Sequence, residues 1–216
     1  MEGLKASHIK NIFIIIKEIM IVNEGYLFDL DSKLGDGDLG ITMKNGFTKV
    51  GEVLKYLDEN DIGKIFNKVG ITLASTVPST LGTLLATGFM RAGKEVEGQT
   101  EVNLFDFSKI FSAFIKEIMI RGKSKPGEKT IIDTMLPAAK ALEDASIKCK
   151  CLVEAFNLAF IAALNGLDST KNMTPLHGKA FYHKERSEGI EDPGAAAGML
   201  IFKSFYKYFK MHIDEK

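Results

Sequence analysis

Between Ile9 and Met20 the apolar residues Ile9, Ile12, Phe13, Ile16, Ile19 and Met20 recur at steps of three and four, which lines them up on one face of an α-helix. The same period returns along the chain and predicts helices near residues 4–24, 39–57, 61–76, 79–94, 104–121, 128–146, 150–168 and 193–212. Between them lie stretches rich in turn formers: LDSKLGDGD, YLDEND, TVPS, GKEVEGQT, GKSKPGE and the longer STKNMTPLHGKAFYHKERSEGIEDPG. No alternating pattern predicts a strand, although the short apolar run Ile71 to Ala74 fits either element by period alone. The expectation is an all-α fold, an antiparallel bundle of eight helices in which short connections make successive helices neighbours.

Length and composition narrow this further. With 216 residues, 45% of them hydrophobic, and no repeat, low-complexity tract or linker, the chain is expected to form one domain over residues 1–216 around one core. Lysine plus arginine and aspartate plus glutamate both number 28, so no overall field draws in nucleic acid or an anionic membrane surface. The opening MEGLKASHIK lacks the features of a secretory signal, and the apolar run Ile12 to Ile16 is far too short to cross a bilayer. Cys149 and Cys151 form a C-x-C with no second cysteine pair or nearby histidine, which argues against zinc and against a disulfide framework. Reduced thiols in a cytoplasmic protein are the plain reading.

The candidate chemistry lies in FDLDSKLGDGDLG, where Asp31, Asp36 and Asp38 fall within eight residues. Gly35 and Gly37 flank Asp36 and permit backbone angles and close approaches that other residues bar. Asp38 precedes the apolar-periodic stretch from Ile41 to Val50, where an N-cap aspartate is expected. A tight turn and a cap account for one or two of these acids, not three. Carboxylates about 4 Å apart repel by roughly 4 kcal/mol per pair at an effective dielectric near 20, so a cluster calls for a neutralising cation. Oxygen ligands without histidine or thiolate favour magnesium or calcium over zinc. The calcium-loop spacing is not matched, and magnesium commonly shares its sphere with substrate phosphates. A metal-phosphate site is therefore favoured over a turn plus cap.

Three segments, LDSKLGDGDLGITMKNGF, RGKSKPGEKTIIDTMLPA and HGKAFYHKERSEGIEDPGAAA, resemble in order and spacing the signatures of the L subunit of dihydroxyacetone kinase. The resemblance runs from about Asn11 to Phe202 and implies an eight-helix antiparallel barrel whose loops at one end hold an adenine nucleotide, ADP or ATP, through two magnesium ions. It implies that Asp31, Asp36 and Asp38 ligate the metals and that Leu39, Gly40, Ile41 and Thr42 touch the nucleotide. Gly122 and Ile131 fall where the family packs the adenine, and Asp192, Pro193 and Gly194 match its D-P-G turn. Lys179 stands where typical members carry arginine, keeping the charge but losing the bidentate fork. From the residues alone, Gly122 and Gly127 also read as a helix C-cap and a turn, and Pro193 as a first helical residue.

Two departures bear on function. Typical members carry a glycine-rich G-G-x-S-G loop around the phosphates; here the segment is STVPSTLGT, about four residues shorter, with Pro78 lacking a backbone donor. Ser79 and Thr80 remain to offer hydroxyls and helix-start amides. Leu39 replaces a common histidine. The resemblance implies a nucleotide-binding subunit that relays a phosphoryl group from a phosphohistidine M subunit to dihydroxyacetone or a related small ketose on a K subunit, and it leaves a homodimer open. A free chain of this length matches that context rather than fusion behind a K domain. The alternatives are a regulatory, metal-binding relative with a weakened nucleotide site, and a purely structural helical module. No catalytic residue is assigned within the chain; His8, His177 and His183 read as surface or supporting residues rather than phosphoryl carriers.

Overall fold

The computed structural model describes residues 3–148 and 150–212. Among them nine α-helices form: α1 (Ala6–Val22), α2 (Glu24–Leu34), α3 (Leu39–Lys55), α4 (Ile62–Thr76), α5 (Thr80–Glu95), α6 (Leu104–Gly122), α7 (Ile132–Ile147), α8 (Leu152–Ser169) and α9 (Pro193–Met211). Several begin on a side chain that satisfies amides the helix itself leaves open. Asp61 accepts from the Lys64 N–H at 3.2 Å before α4, and Ser79 from the Gly82 N–H at 3.0 Å before α5. Asn103 and Asp106 form a reciprocal capping box at α6. Asp192 accepts from Ala195 N–H at 2.7 Å, with Pro193 opening α9.

The structure differs from the periodicity in four places. The turn-rich stretch after α1 folds as α2, because Leu27, Leu30 and Leu34 share a face and are buried. Two short strands, β1 (Leu4–Lys5) and β2 (Glu101–Val102), pair antiparallel, too brief to carry an alternating signal. Helix α7 begins at Ile132 rather than near residue 128, since Gly127 and Lys129 adopt φ of 90° and 58°. The polar stretch before α9 contains two 3-10 segments, Thr170–Asn172 and Lys179–Arg186. The ambiguous run Ile71 to Ala74 is helical, inside α4. Met1, Glu2, Cys149 and the residues after His212 lie outside the described residues; Cys151 is an exposed free thiol. No helix among the described residues is long and apolar enough to cross a membrane.

Helix α1 packs on α3, α3 on α4, each later helix on the next, and α9 returns to α1, so eight helices close on themselves with α2 laid against α3 and α9. Neighbours run in opposite directions where close contacts report it. Gly63 at the head of α4 meets Gly93 near the tail of α5, and Gly166 near the tail of α8 meets Asp133 at the head of α7. This alternation brings the heads of α3, α5, α7 and α9 to one end. Phenylalanines fill the core, with Phe89 against Phe13, Phe47, Phe66 and Phe114, and Phe111 against Phe156, Phe202 and Phe205. Their burial is the main favourable term, about 25 cal/mol per Å² of apolar surface removed from water.

The α4–α5 crossing yields a test. A Cβ on Gly93 would lie 2.5 Å from the Gly63 carbonyl oxygen, so backbone must move to admit it. Gly93→Ala is expected to lower stability by about 1–3 kcal/mol in urea unfolding, although alanine is the better helix former by about 1 kcal/mol. An increase in stability would contradict the close-packed crossing.

Candidate functional site

The heads of α3, α5, α7 and α9, the last turn of α2 and the start of the Lys179–Arg186 segment surround a cavity of about 400 Å³. The last turn of α2 presents Asp31. Beyond it Gly35 passes so close to the Asp31 carboxylate that a Cβ would collide, and Gly37 takes φ of 76°. The chain therefore doubles back tightly enough for one carboxylate oxygen each from Asp31, Asp36 and Asp38 to lie within 4.8 Å of the others.

Asp38 occupies the N-cap position of α3 yet makes no side-chain cap bond. Asp31 does that work from another helix, accepting the Leu39 N–H at 3.1 Å. The cap expected from the sequence is thus supplied across a helix pair, leaving the Asp38 carboxylate uncommitted. Burial raises the Asp31 pKa first, the Leu39 N–H opposes this, and the charges of Asp36 and Asp38 raise it further. Asp36 is held low chiefly by its hydrogen bond from the Lys179 ammonium, which also feels Asp31 and Asp38. A cation already sits against this cluster, and three carboxylates without nitrogen or sulfur donors suit magnesium.

Opposite, the Ser79 N–H donates to the Val77 carbonyl at 2.9 Å and its hydroxyl oxygen caps α5. The first-turn amides of Thr80 and Leu81 have no partner within the helix and can meet an anion. At α9 Pro193 has no N–H and the Ala195 N–H is taken by Asp192, so this head offers fewer donors. The wall between is apolar, with Leu34, Leu84 and Ile131.

Of the residues expected from the sequence, Asp31, Asp36, Asp38, Leu39, Ser79, Thr80, Ile131, Lys179, Asp192, Pro193 and Gly194 line this cavity. Gly40, Ile41 and Thr42 do not. Gly40 lets α3 press against the Glu24 carbonyl of α2, Ile41 is exposed, and the Thr42 N–H is bonded to the Asp38 carbonyl at 3.0 Å. Gly122 lies in an adjoining cleft that shares Pro78, Ser79, Thr80 and Leu84. It is the last residue of α6, and Lys123, with φ of 52°, forms the cap instead. Sequence reasoning missed Lys129 and placed His177 only at the surface or in support; both line the cavity. His177 Nε2 lies 2.6 Å from Glu128 Oε2. His183 contacts Arg186, and His8 contacts the Tyr208 hydroxyl at 2.6 Å. The signal that could have found Lys129 is a lysine between a turn glycine and a helix head.

Asp192 supplies a pH test. Its burial pushes the carboxyl up to about 7; the Ala195 N–H opposes this, Asp133 adds to it, and Lys129 opposes it. The unfolded chain releases this proton near the ordinary aspartate value while the fold retains it, so stability falls as pH rises from about 4 to about 7. Asp192→Asn preserves the cap and removes the titration. Stability of the native chain relative to Asp192→Asn is expected to decline over that window, by up to roughly 4 kcal/mol, and to be level above it. A difference independent of pH would contradict the assignment.

The chain is similar to known proteins over most of its length. The family model described as the DAK2 domain matches residues 33–207. The PEP-dependent dihydroxyacetone kinase, ADP-binding subunit DhaL, of Escherichia coli (strain K12) is 33% identical over 186 residues, covering 86% of this chain and 89% of that one. The PTS-dependent dihydroxyacetone kinase, ADP-binding subunit DhaL, of Lactococcus lactis subsp. lactis (strain IL1403) is 31% identical, covering 84% of this chain and 86% of that one. Among solved structures, the dihydroxyacetone kinase from C. freundii in complex with AMP-PNP and Mg2+ superposes with a TM-score of 0.71 at 25% identity, over 96% of this chain and 35% of that one. With its helical fold, its three clustered carboxylates and a match across most of its residues, the chain belongs to the DAK2 domain family.

Proposed function

We propose that this chain is the ADP-binding subunit of a phosphoenolpyruvate-dependent dihydroxyacetone kinase, a phosphotransferase subunit that carries ADP/ATP with two Mg2+. On this reading it receives a phosphoryl group from the phosphohistidine of an M subunit and delivers it to dihydroxyacetone, or a related small ketose, on a K subunit. The observation that carries the proposal is the convergence of Asp31, Asp36 and Asp38 with the heads of α3 and α5 around one cavity. The similarity to ADP-binding subunits of such kinases, over 86% and 84% of this chain, supports it.

Asp31, Asp36 and Asp38 would hold the metals, which when bound neutralise phosphate charge. The Thr80 and Leu81 amides, at the positive end of the α5 dipole, and the Lys179 ammonium would receive phosphate oxygens. Leu34, Leu84 and Ile131 would pack against the base and exclude water, with Gly122 in the adjoining cleft. Transfer between oxygens held in line needs placement and charge neutralisation rather than a base from this chain.

Pro78 favours a second reading, a regulatory relative that binds metal but cradles nucleotide weakly, because the loop before α5 has lost one donor and spends the Ser79 N–H on Val77.

Unfolding with magnesium, ADP, both or neither discriminates. Both together are expected to stabilise by about 2.7 kcal/mol at a hundredfold excess over Kd, more than the sum of the separate effects. Since the Asp38 side chain makes no cap bond and repels its neighbouring carboxylates, Asp38→Asn should not lower ligand-free stability, and it should abolish the synergy. A magnesium shift without synergy selects the regulatory reading; no shift at all rejects both.

A further inference from the structure

Lys129 is 1% exposed, yet it lines the cavity and has φ of 58°, the left-handed region that lysine rarely occupies. Such a conformation persists only where the surroundings enforce it. Here Asp133 enforces it by gripping both flanks, accepting from the Gly127 N–H and from the Thr130 N–H at 2.7 Å. The turn aims the side chain inward, where its ammonium donates to the Ser187 carbonyl at 2.6 Å.

Ser187 is the residue that ends the Lys179–Arg186 segment, and it is buried. The segment itself buries no residue, and its side-chain contacts include internal ones, Lys184 over Phe181 and Arg186 with His183. It is held at its head by Lys179 on Asp36 and at its tail by Lys129 on Ser187, where the Gly189 N–H also reaches the Lys171 carbonyl at 3.0 Å.

We propose that Lys129 is a positioning residue that latches the tail of this strap to the turn at residues 127–130 before α7 and so holds Lys179 at the cavity. Lys129 acts on nucleotide retention through Lys179, without a role in the transfer step. This rests on the function proposed above for its consequence, though not for the latch itself.

Amide hydrogen exchange on the ligand-free chain tests the latch. The Ser187, Gly189 and Ile190 amides are protected by bonds to Lys184, Lys171 and Ser187. Lys129→Met is expected to speed their exchange by about tenfold or more, the scale of one hydrogen bond to a charged group, while α4 and α5 exchange as before. Lys179→Ala frees only the head, so these three amides should keep their native rates; this variant, altered at an exposed side chain, serves if Lys129→Met does not fold. Release of MgADP tests the consequence. It should accelerate in each variant, with the double variant no faster than the quicker single one, since two steps of one path do not add. Unchanged exchange at those amides in Lys129→Met, their loss of protection in Lys179→Ala, or additive release rates overturns the proposal. Failure of the native chain to bind MgADP would reject the functional reading and leave the exchange result to decide the latch.

Discussion

Three carboxylates held within 4.8 Å of one another set the electrostatic problem that this end of the molecule is built around. Each pair repels, and only positive potential makes the arrangement tolerable. The helix ring supplies some of it by pointing the heads of α3, α5, α7 and α9 to the same end, where the partial positive charges of their dipoles add. Lys179 supplies a full charge on Asp36. The same positive potential suits an anion at this end.

The scaffold makes this concentration possible because it is rigid where the helices cross. Gly63 against Gly93, and Gly70 against the Ala86 carbonyl, bring backbones to distances that no side chain would allow, and the phenylalanine core locks the ring behind them. Gly40 does the same between α3 and α2, so the helix bearing Asp31 is pressed against the helix that Asp31 caps. The geometry of the carboxylate cluster and core packing are thus joined at one helix pair.

The opposite wall is held differently. The Lys179–Arg186 segment buries none of its residues and depends on polar attachments. Such elements open more readily than packed helices. The fold thereby separates a fixed acidic floor from an adjustable basic cover.

The sequence by itself determined the helical class, eight of the nine helices among the described residues, and the identity of the three acids, because periodicity and caps are local and a run such as GDGD limits its own backbone. It missed α2, whose three leucines sit among turn formers, and the two-residue strands, whose pattern is too short to register. It offered Asp38 as a cap or as a metal ligand; Asp38 takes the N-cap position, but the side-chain bond to the head of α3 comes from Asp31 across a helix pair. The family resemblance put Gly40, Ile41 and Thr42 on the nucleotide, whereas they do not line the cavity: the helix turns them to α2, to solvent and into its own hydrogen bonding. Lys129 was missed because its place between a turn glycine and a helix head marks a turn but not where its ammonium ends. A buried ammonium on a carbonyl 58 residues away is a long-range contact, and only the closure of the ring decides it.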